Sequence, residues 1–315
     1  MIKLFGYKHP LVCLSMNGVS EANLAIAVAK EEVCPSLFFY NYFYGNWFEL
    51  LSNDLERIRK EIDGDIILSL QPDDLIKYLK DLLHLIFKYR ITHLELLGLD
   101  PTDKSVLNAF NVLKKHNIKM IYKSNKYPED PSQEVMDIID GIILKSSTGA
   151  GRVVNIDMNM NQLIRHCKTN NPNLAIIACG GIGSYKDIQQ YIDAGADYVG
   201  IGTLFALSKE SIISEQTKLV AISNKHLTKL KSGSMEQNAI LIDKEKPIYD
   251  PTNQFTKNNT AGLLKAIRGN GGHIFMGEGV NTVDSILPVS EIIAKLGFSQ
   301  STDIHDHEDE YHQVQ

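Results

Sequence analysis

Through residue 201, short apolar runs alternate with longer amphipathic segments, and this alternation constrains the fold more than any other feature of the chain. Strands that alternate with helices form βαβ units and hence a parallel sheet. The apolar runs fall at 11–14, 37–40, 65–70, 93–97, 119–122, 141–144, 175–179 and 198–201, with helix-like segments at 21–31, 48–62, 73–88, 104–116, 158–168 and 184–193. Ser20, Asp73 and Ser184 stand where an N-cap oxygen would accept the free N–H groups of a helix start. Eight such units close a barrel, so the expected architecture is α/β, a (β/α)8 TIM barrel over residues 1–210. An open, doubly wound sheet is the alternative.

The chain has 315 residues, more than the ~250 of a typical barrel. Residues 211–300 read as a helical appendage over the barrel mouth. Helical pattern covers 212–230, a polar loop with Pro247 and Pro251 covers 243–260, helical pattern returns at 262–268, 269–279 is glycine-rich, and a last helix is expected over 283–296. Residues 301–315 read as an acidic, disordered tail, whose His305, His307 and His312 are taken as solvated side chains. The net charge of -6 is largely that tail's, since Asp303, Asp306, Glu308, Asp309 and Glu310 face no Lys or Arg there.

An acidic balance of 38 against 32 argues against a nucleic-acid partner. No apolar run reaches the ~20 residues of a membrane helix, and residues 1–12 lack the apolar core of an export signal, so a cytoplasmic protein is expected. Cys13, Cys34, Cys167 and Cys179 form no CxxC, which points to reduced thiols with no disulfide framework and no metal site.

In a TIM barrel the chemistry lies where the βα loops converge, at the C-terminal ends of the strands. That places residues 15–20, 69–71, 123, 145–152, 180–183 and 202–203 around one mouth. Glycines after strands seven and eight, Gly180, Gly181, Gly183 and Gly202 with Thr203, allow backbone N–H groups to approach a phosphate. Each glycine alone would be read as a turn; two glycine turns after consecutive late strands favour a phosphate. Lys123 and Lys145 end strands at the mouth, where a cation can stabilise negative charge on a bound group.

The run GGIGSYKDIQQYIDAGADYVGIGTLF at 180–205 resembles the phosphate motif of FMN-dependent TIM-barrel oxidoreductases. PLVCLSMNGVS at 10–20, GTLFALSKES at 202–211 and MGEGVNTVDSILPV at 276–289 are similar to segments of the nitronate monooxygenase (2-nitropropane dioxygenase-like) family, which includes flavin-type enoyl-acyl-carrier-protein reductases. The resemblance implies FMN as cofactor, held by Ser15, Met16, Asn17, Gly18, Ser69, Lys123, Lys145, Gly180, Gly181, Gly183, Gly202 and Thr203. It also implies a catalytic loop after strand six, in which Lys145, Ser147 and Arg152 are the candidates and Arg152 stands at the position of the family's catalytic histidine. A guanidinium stays protonated and cannot deprotonate a neutral nitroalkane, but it can hold an anion. The implied activity is therefore oxidation of an anionic nitronate-like substrate, with oxygen as acceptor. Two alternatives stand beside it: an NAD(P)H-dependent enoyl-thioester reductase acting with an acyl carrier protein, and a non-catalytic flavin- or partner-binding module. The expected partners are a small-molecule or acyl-thioester substrate, with homo-oligomerisation left open.

Overall fold

The computed structural model describes residues 1–43, 45–98, 104–124, 127, 131–152, 158–232, 235–242 and 255–298. Its barrel strands are β1 Leu11–Cys13, β2 Ser36–Phe38, β3 Ile67–Leu70, β4 His93–Leu97, β5 Lys119–Lys123, β6 Gly141–Lys145, β7 Ala175–Cys179 and β8 Tyr198–Ile201. They pair in parallel, each with its neighbours in sequence, and β8 returns to β1. Between β1 and β2 the contact is a single bridge, Val12 to Cys34, supported by a 2.8 Å bond from Cys13 N to Cys34 O. The expected (β/α)8 TIM barrel is the fold.

Side chains of a strand alternate between its two faces. Val12, Cys34, Ile67, Ile121, Ile143 and Ile177 fill the barrel interior as one buried cluster, and below them Phe5 packs its ring 4.8 Å from both His93 and Tyr198. Two residues further along the strands the interior turns polar. Ser69 follows Ile67, Lys123 follows Ile121, Lys145 follows Ile143, and Glu95 is the register partner of Ser69. That layer lies directly under the loops expected to carry chemistry.

The crossover helices include α1 Ala22–Lys30, α2 Trp47–Glu61, α3 Pro72–Lys88, α4 Lys104–Lys115, α5 Gln133–Met136, α6 Met160–Asn170 and α7 Tyr185–Asp193, and a four-residue helix α8, Thr203–Ala206, follows β8. Ser184 caps α7 as expected, in a capping box with Asp187. Ser20 and Asp73 are not caps. Ser20 Oγ instead accepts from Met16 N, closing the loop after β1, and α3 begins at Pro72, which puts Asp73 inside its first turn.

Beyond residue 210 the chain is less helical than its periodicity suggests. Helix α9, Glu215–Asn224, stops where Lys225 takes a left-handed conformation (φ 45°). A strand at Thr228–Ser232 follows, antiparallel to Met235–Leu241, which pairs in turn with His273–Phe275 and with the short strand Gly151–Arg152 of the barrel. Helix α10 runs Phe255–Ile267, beginning inside the segment read as a polar loop. Helix α11 is Val289–Lys295, starting later than expected because Pro288 disfavours helix at the residue before it. The appendage is thus a mixed α/β cap. Of the expected loop, 243–254 lies outside the described residues, as does the whole 301–315 tail. Among the described residues no helix is long and apolar enough to cross a membrane.

One buried group makes the cap sensitive to acid. His273 packs 5.3 Å from the Phe275 ring and so close to α10 that a Cβ on Gly262 would lie 2.7 Å from its imidazole. Burial pushes its pKa from 6.5 down to about 4. The folded protein therefore holds it neutral while the unfolded chain binds a proton, so stability is complete above pH 6.5 and is lost as pH falls from 6.5 toward 4. Burial pushes His9 and His93 the same way. The urea midpoint of unfolding should be flat above pH 6.5 and fall below it, and His273→Asn should reduce that slope; an unchanged slope would exclude His273 as a contributor.

Candidate active site

A cleft opens at the C-terminal ends of the strands. It has an empty volume of about 900 Å3 with its open mouth included, within the ~300–1,000 Å3 usual for small-molecule sites. Its lining joins Ser15, Met16 and Asn17 after β1, Lys123 ending β5, Lys145 ending β6, Gly180 and Gly181 after β7, and Gly202 and Thr203 after β8. Nine residues expected at a cofactor thus meet in one space.

Three others do not line it. Gly18, at φ +72°, turns the loop after β1 and packs on the cap, since a Cβ there would lie 2.3 Å from Ile267. Ser69 is fully buried in the polar layer, and its hydroxyl has no partner among the described residues. Gly183 gives its N–H to Asp187 at 3.0 Å, and its missing side chain makes room for Thr282. The same Asp187 carboxylate accepts from Ser184 N at 2.9 Å, so the start of α7 does not offer these donors to an anion. The N–H groups of Gly181 and Ile182 have no acceptor among the described residues, and Thr203 opens α8, where a helix leaves its first N–H groups free.

These free donors test the cleft as a phosphate cradle. Gly180 and Gly181 adopt φ +112° and +72°, and a Cβ would lie 2.2 Å from Ser146 Oγ at the first and 2.5 Å from Thr148 Oγ1 at the second. A bare backbone is required there both for conformation and for space. The donors and the cleft volume fit a phosphate-bearing cofactor.

The loop after β6 is held from several sides. Lys145 Nζ donates to the carbonyl of Ala150, and Ser146 and Thr148 share a hydroxyl hydrogen bond at 2.6 Å. From the cap, the Asn238 carboxamide donates to Ser147 O and Gly149 O, each at 2.9 Å. Ser147 itself is exposed and outside the cleft lining. Arg152 lies in the short strand that pairs with Gln237, and its side chain falls outside what the structure describes.

Sequence patterns missed several residues that build this site. Asn41 accepts from Gly18 N at 2.6 Å and donates to Ser20 O at 3.0 Å, fixing the loop after β1. Leu263, Ile274, Phe275 and Gly279 bring the cap into the cleft wall. Glu95, 1% exposed, accepts from Ser15 Oγ through both carboxylate oxygens, at 2.8 and 2.9 Å, and from Lys123 Nζ at 3.0 Å. Burial opposes the Lys123 ammonium, but Glu95 outweighs it, so the lysine pKa lies above its usual value. At Lys123 the charge brought to the mouth is therefore compensated. A detectable signal existed, because a charged residue in the middle of an apolar parallel strand must find a partner.

Residues 156–298 match the family model for nitronate monooxygenase. FabK from Thermotoga maritima superposes with a TM-score of 0.70 at 17% identity, over 92% of each chain. Nitroalkane oxidase from Streptomyces ansochromogenes gives 0.70 at 14% identity, over 92% of this chain and 95% of the other. The enoyl reductase domain of MlnA from Bacillus amyloliquefaciens gives 0.60 at 15%, over 84% and 66%. No curated protein matches by sequence.

Proposed function

We propose, from the match of residues 156–298 to the nitronate monooxygenase family model on a barrel fold shared with FabK and nitroalkane oxidase, that this chain is an FMN-dependent oxidoreductase acting on a small anionic, nitronate-like substrate with oxygen as acceptor. The observation that carries the proposal is the cleft itself, where two glycine turns with free N–H groups meet the loop after β1 and two strand-ending lysines. FMN, when bound, supplies a reversible two-electron acceptor.

The chain's own groups have separable tasks. Gly181, Ile182 and Thr203 hold the phosphate through N–H donors. Leu263, Ile274 and Phe275 wall the cleft from the cap side and exclude water, which strengthens every charge interaction inside. The ionisable groups of the described lining are Lys123, Lys145 and Cys179. Burial raises the Cys179 thiol and Lys123 is held protonated, so neither is suited to abstract a proton from a neutral substrate. A nitronate needs no such step.

Arg152 is assigned to clamp the substrate anion, from its place in the loop after β6. Arg152→Ala should raise the apparent KM for anionic substrates at least tenfold, about 1.4 kcal/mol, and unchanged steady-state kinetics would remove it from the site.

The same set of protonated groups favours a second reading, an enoyl-thioester (enoyl-ACP) reductase using NAD(P)H, because reduction requires a proton donor where nitroalkane oxidation requires an acceptor. Anaerobic mixing separates the two. Bleaching of the flavin absorbance by a nitronate supports the oxidase reading. Bleaching by NADH or NADPH with turnover of an enoyl thioester supports the reductase, and no bleaching by any of them leaves a binding module.

A further inference from the structure

The buried Ser15, Glu95 and Lys123 unit has no part in holding a phosphate, yet two of its members line the cleft. Glu95 lies at the centre of β4, on the interior face, and Lys123 ends the neighbouring β5. The carboxylate is 1% and the lysine side chain 17% exposed, so water screens the pair little. Among the described residues the side-chain donors to Glu95 are the cleft-lining Ser15 and Lys123, which makes it the support on which that part of the floor rests. Its register partner Ser69 is buried with a hydroxyl that none of them uses.

A lone ammonium at a low-dielectric floor would favour any ligand that gains negative charge there. Paired with a carboxylate at 3.0 Å it presents donors with almost no net charge. We infer that Glu95 is a positioning residue that fixes Lys123 at the cleft floor and cancels its charge, so that the protein holds its flavin at a lower reduction potential than Lys123 alone would set. The inference rests on the flavin reading above and deepens it. A lower potential suits a cofactor that must pass electrons on to oxygen.

The test is a spectroelectrochemical titration of FMN-loaded protein. Glu95→Gln keeps the shape of the side chain and removes its charge. It should raise the preference for reduced over oxidised FMN at least tenfold, a midpoint shift of about +30 mV for a two-electron couple. Adding Lys123→Met to Glu95→Gln should return the midpoint toward the wild-type value, because no unpaired charge remains. If Glu95→Gln does not fold, Lys123→Met alone carries the test: it leaves the carboxylate unopposed and should lower the midpoint. A merely structural role would weaken folding without moving the potential. FMN bound at an unchanged midpoint in Glu95→Gln, or a double variant as high as Glu95→Gln, overturns the inference alone. Wild-type protein that takes up no flavin overturns the reading on which it rests.

Discussion

Gly279→Ala is expected to weaken FMN binding at least tenfold and up to a hundredfold, about 1.4 to 2.8 kcal/mol. The added Cβ would lie 2.2 Å from the carbonyl oxygen of Ile182 and 3.1 Å from its carbon. No rotamer change relieves a collision with backbone, and overpacking of this kind costs about 1–3 kcal/mol. Ile182 sits between Gly181, whose N–H has no acceptor among the described residues, and Gly183, whose N–H is tied to Asp187. The strain therefore falls on the phosphate loop. The surrounding segment shows why a cap residue can control that loop. Gly277 N donates to Thr203 Oγ1 at 3.0 Å, and Glu278 N donates to Thr148 O at 2.9 Å, so residues 277–279 clasp the loops after β6, β7 and β8 together. Fluorescence titration of the apoprotein with FMN reads the effect, and an unchanged dissociation constant would show that the loop after β7 does not carry the cofactor.

Asn238 is the second position where a small change should have a large effect. Its carboxamide is 5% exposed and donates to two carbonyl oxygens, Ser147 and Gly149. Asn238→Ala removes the donor from both, and at the buried Gly149 carbonyl an unsatisfied group costs about 1–3 kcal/mol. Much of that cost should appear as loosening of residues 147–152, where this contact joins the Lys145 bond to Ala150, the Glu278 bond to Thr148 and a two-residue ladder in holding the loop. The expected outcome is at least a tenfold fall in kcat/KM with FMN still bound. Asn238→Asp should be worse than Asn238→Ala, because a carboxylate facing two carbonyl oxygens repels them. Steady-state kinetics of the two variants checks the order, and an active Asn238→Asp would mean that the amide does not position the loop.

The barrel was legible because parallel strands are buried on both faces and read as continuous apolar runs. Strands 93–97, 175–179 and 198–201 lie where the runs predict, and the others differ by a few residues at their ends. The same habit hid Glu95. Within His-Leu-Glu-Leu-Leu the apolar residues identify the strand, and only the interior alternation reveals that the one acid points at Lys123. In the cap, four of the five residues of Thr228–Ser232 are lysine or hydroxyl, and His273–Phe275 follows a pair of glycines, so neither run resembles a strand until Met235–Leu241 pairs with both. Glycines were readable as a group but not by role. Gly180 and Gly181 need their conformations at the cleft, whereas Gly18 and Gly183 serve the contact between barrel and cap. Asn41 and Asn238 act through single carboxamides, which carry no periodicity for a sequence to show.

The proposed chemistry requires a flavin in the cleft between the glycine turns. The direct measurement is flavin uptake by the purified wild-type chain, read as absorbance and as the nucleotide released on denaturation. A yellow protein that binds FMN in a one-to-one ratio, and at least tenfold more weakly in Gly279→Ala, is the expected result. A colourless protein that takes up no FMN at saturating concentration would contradict it.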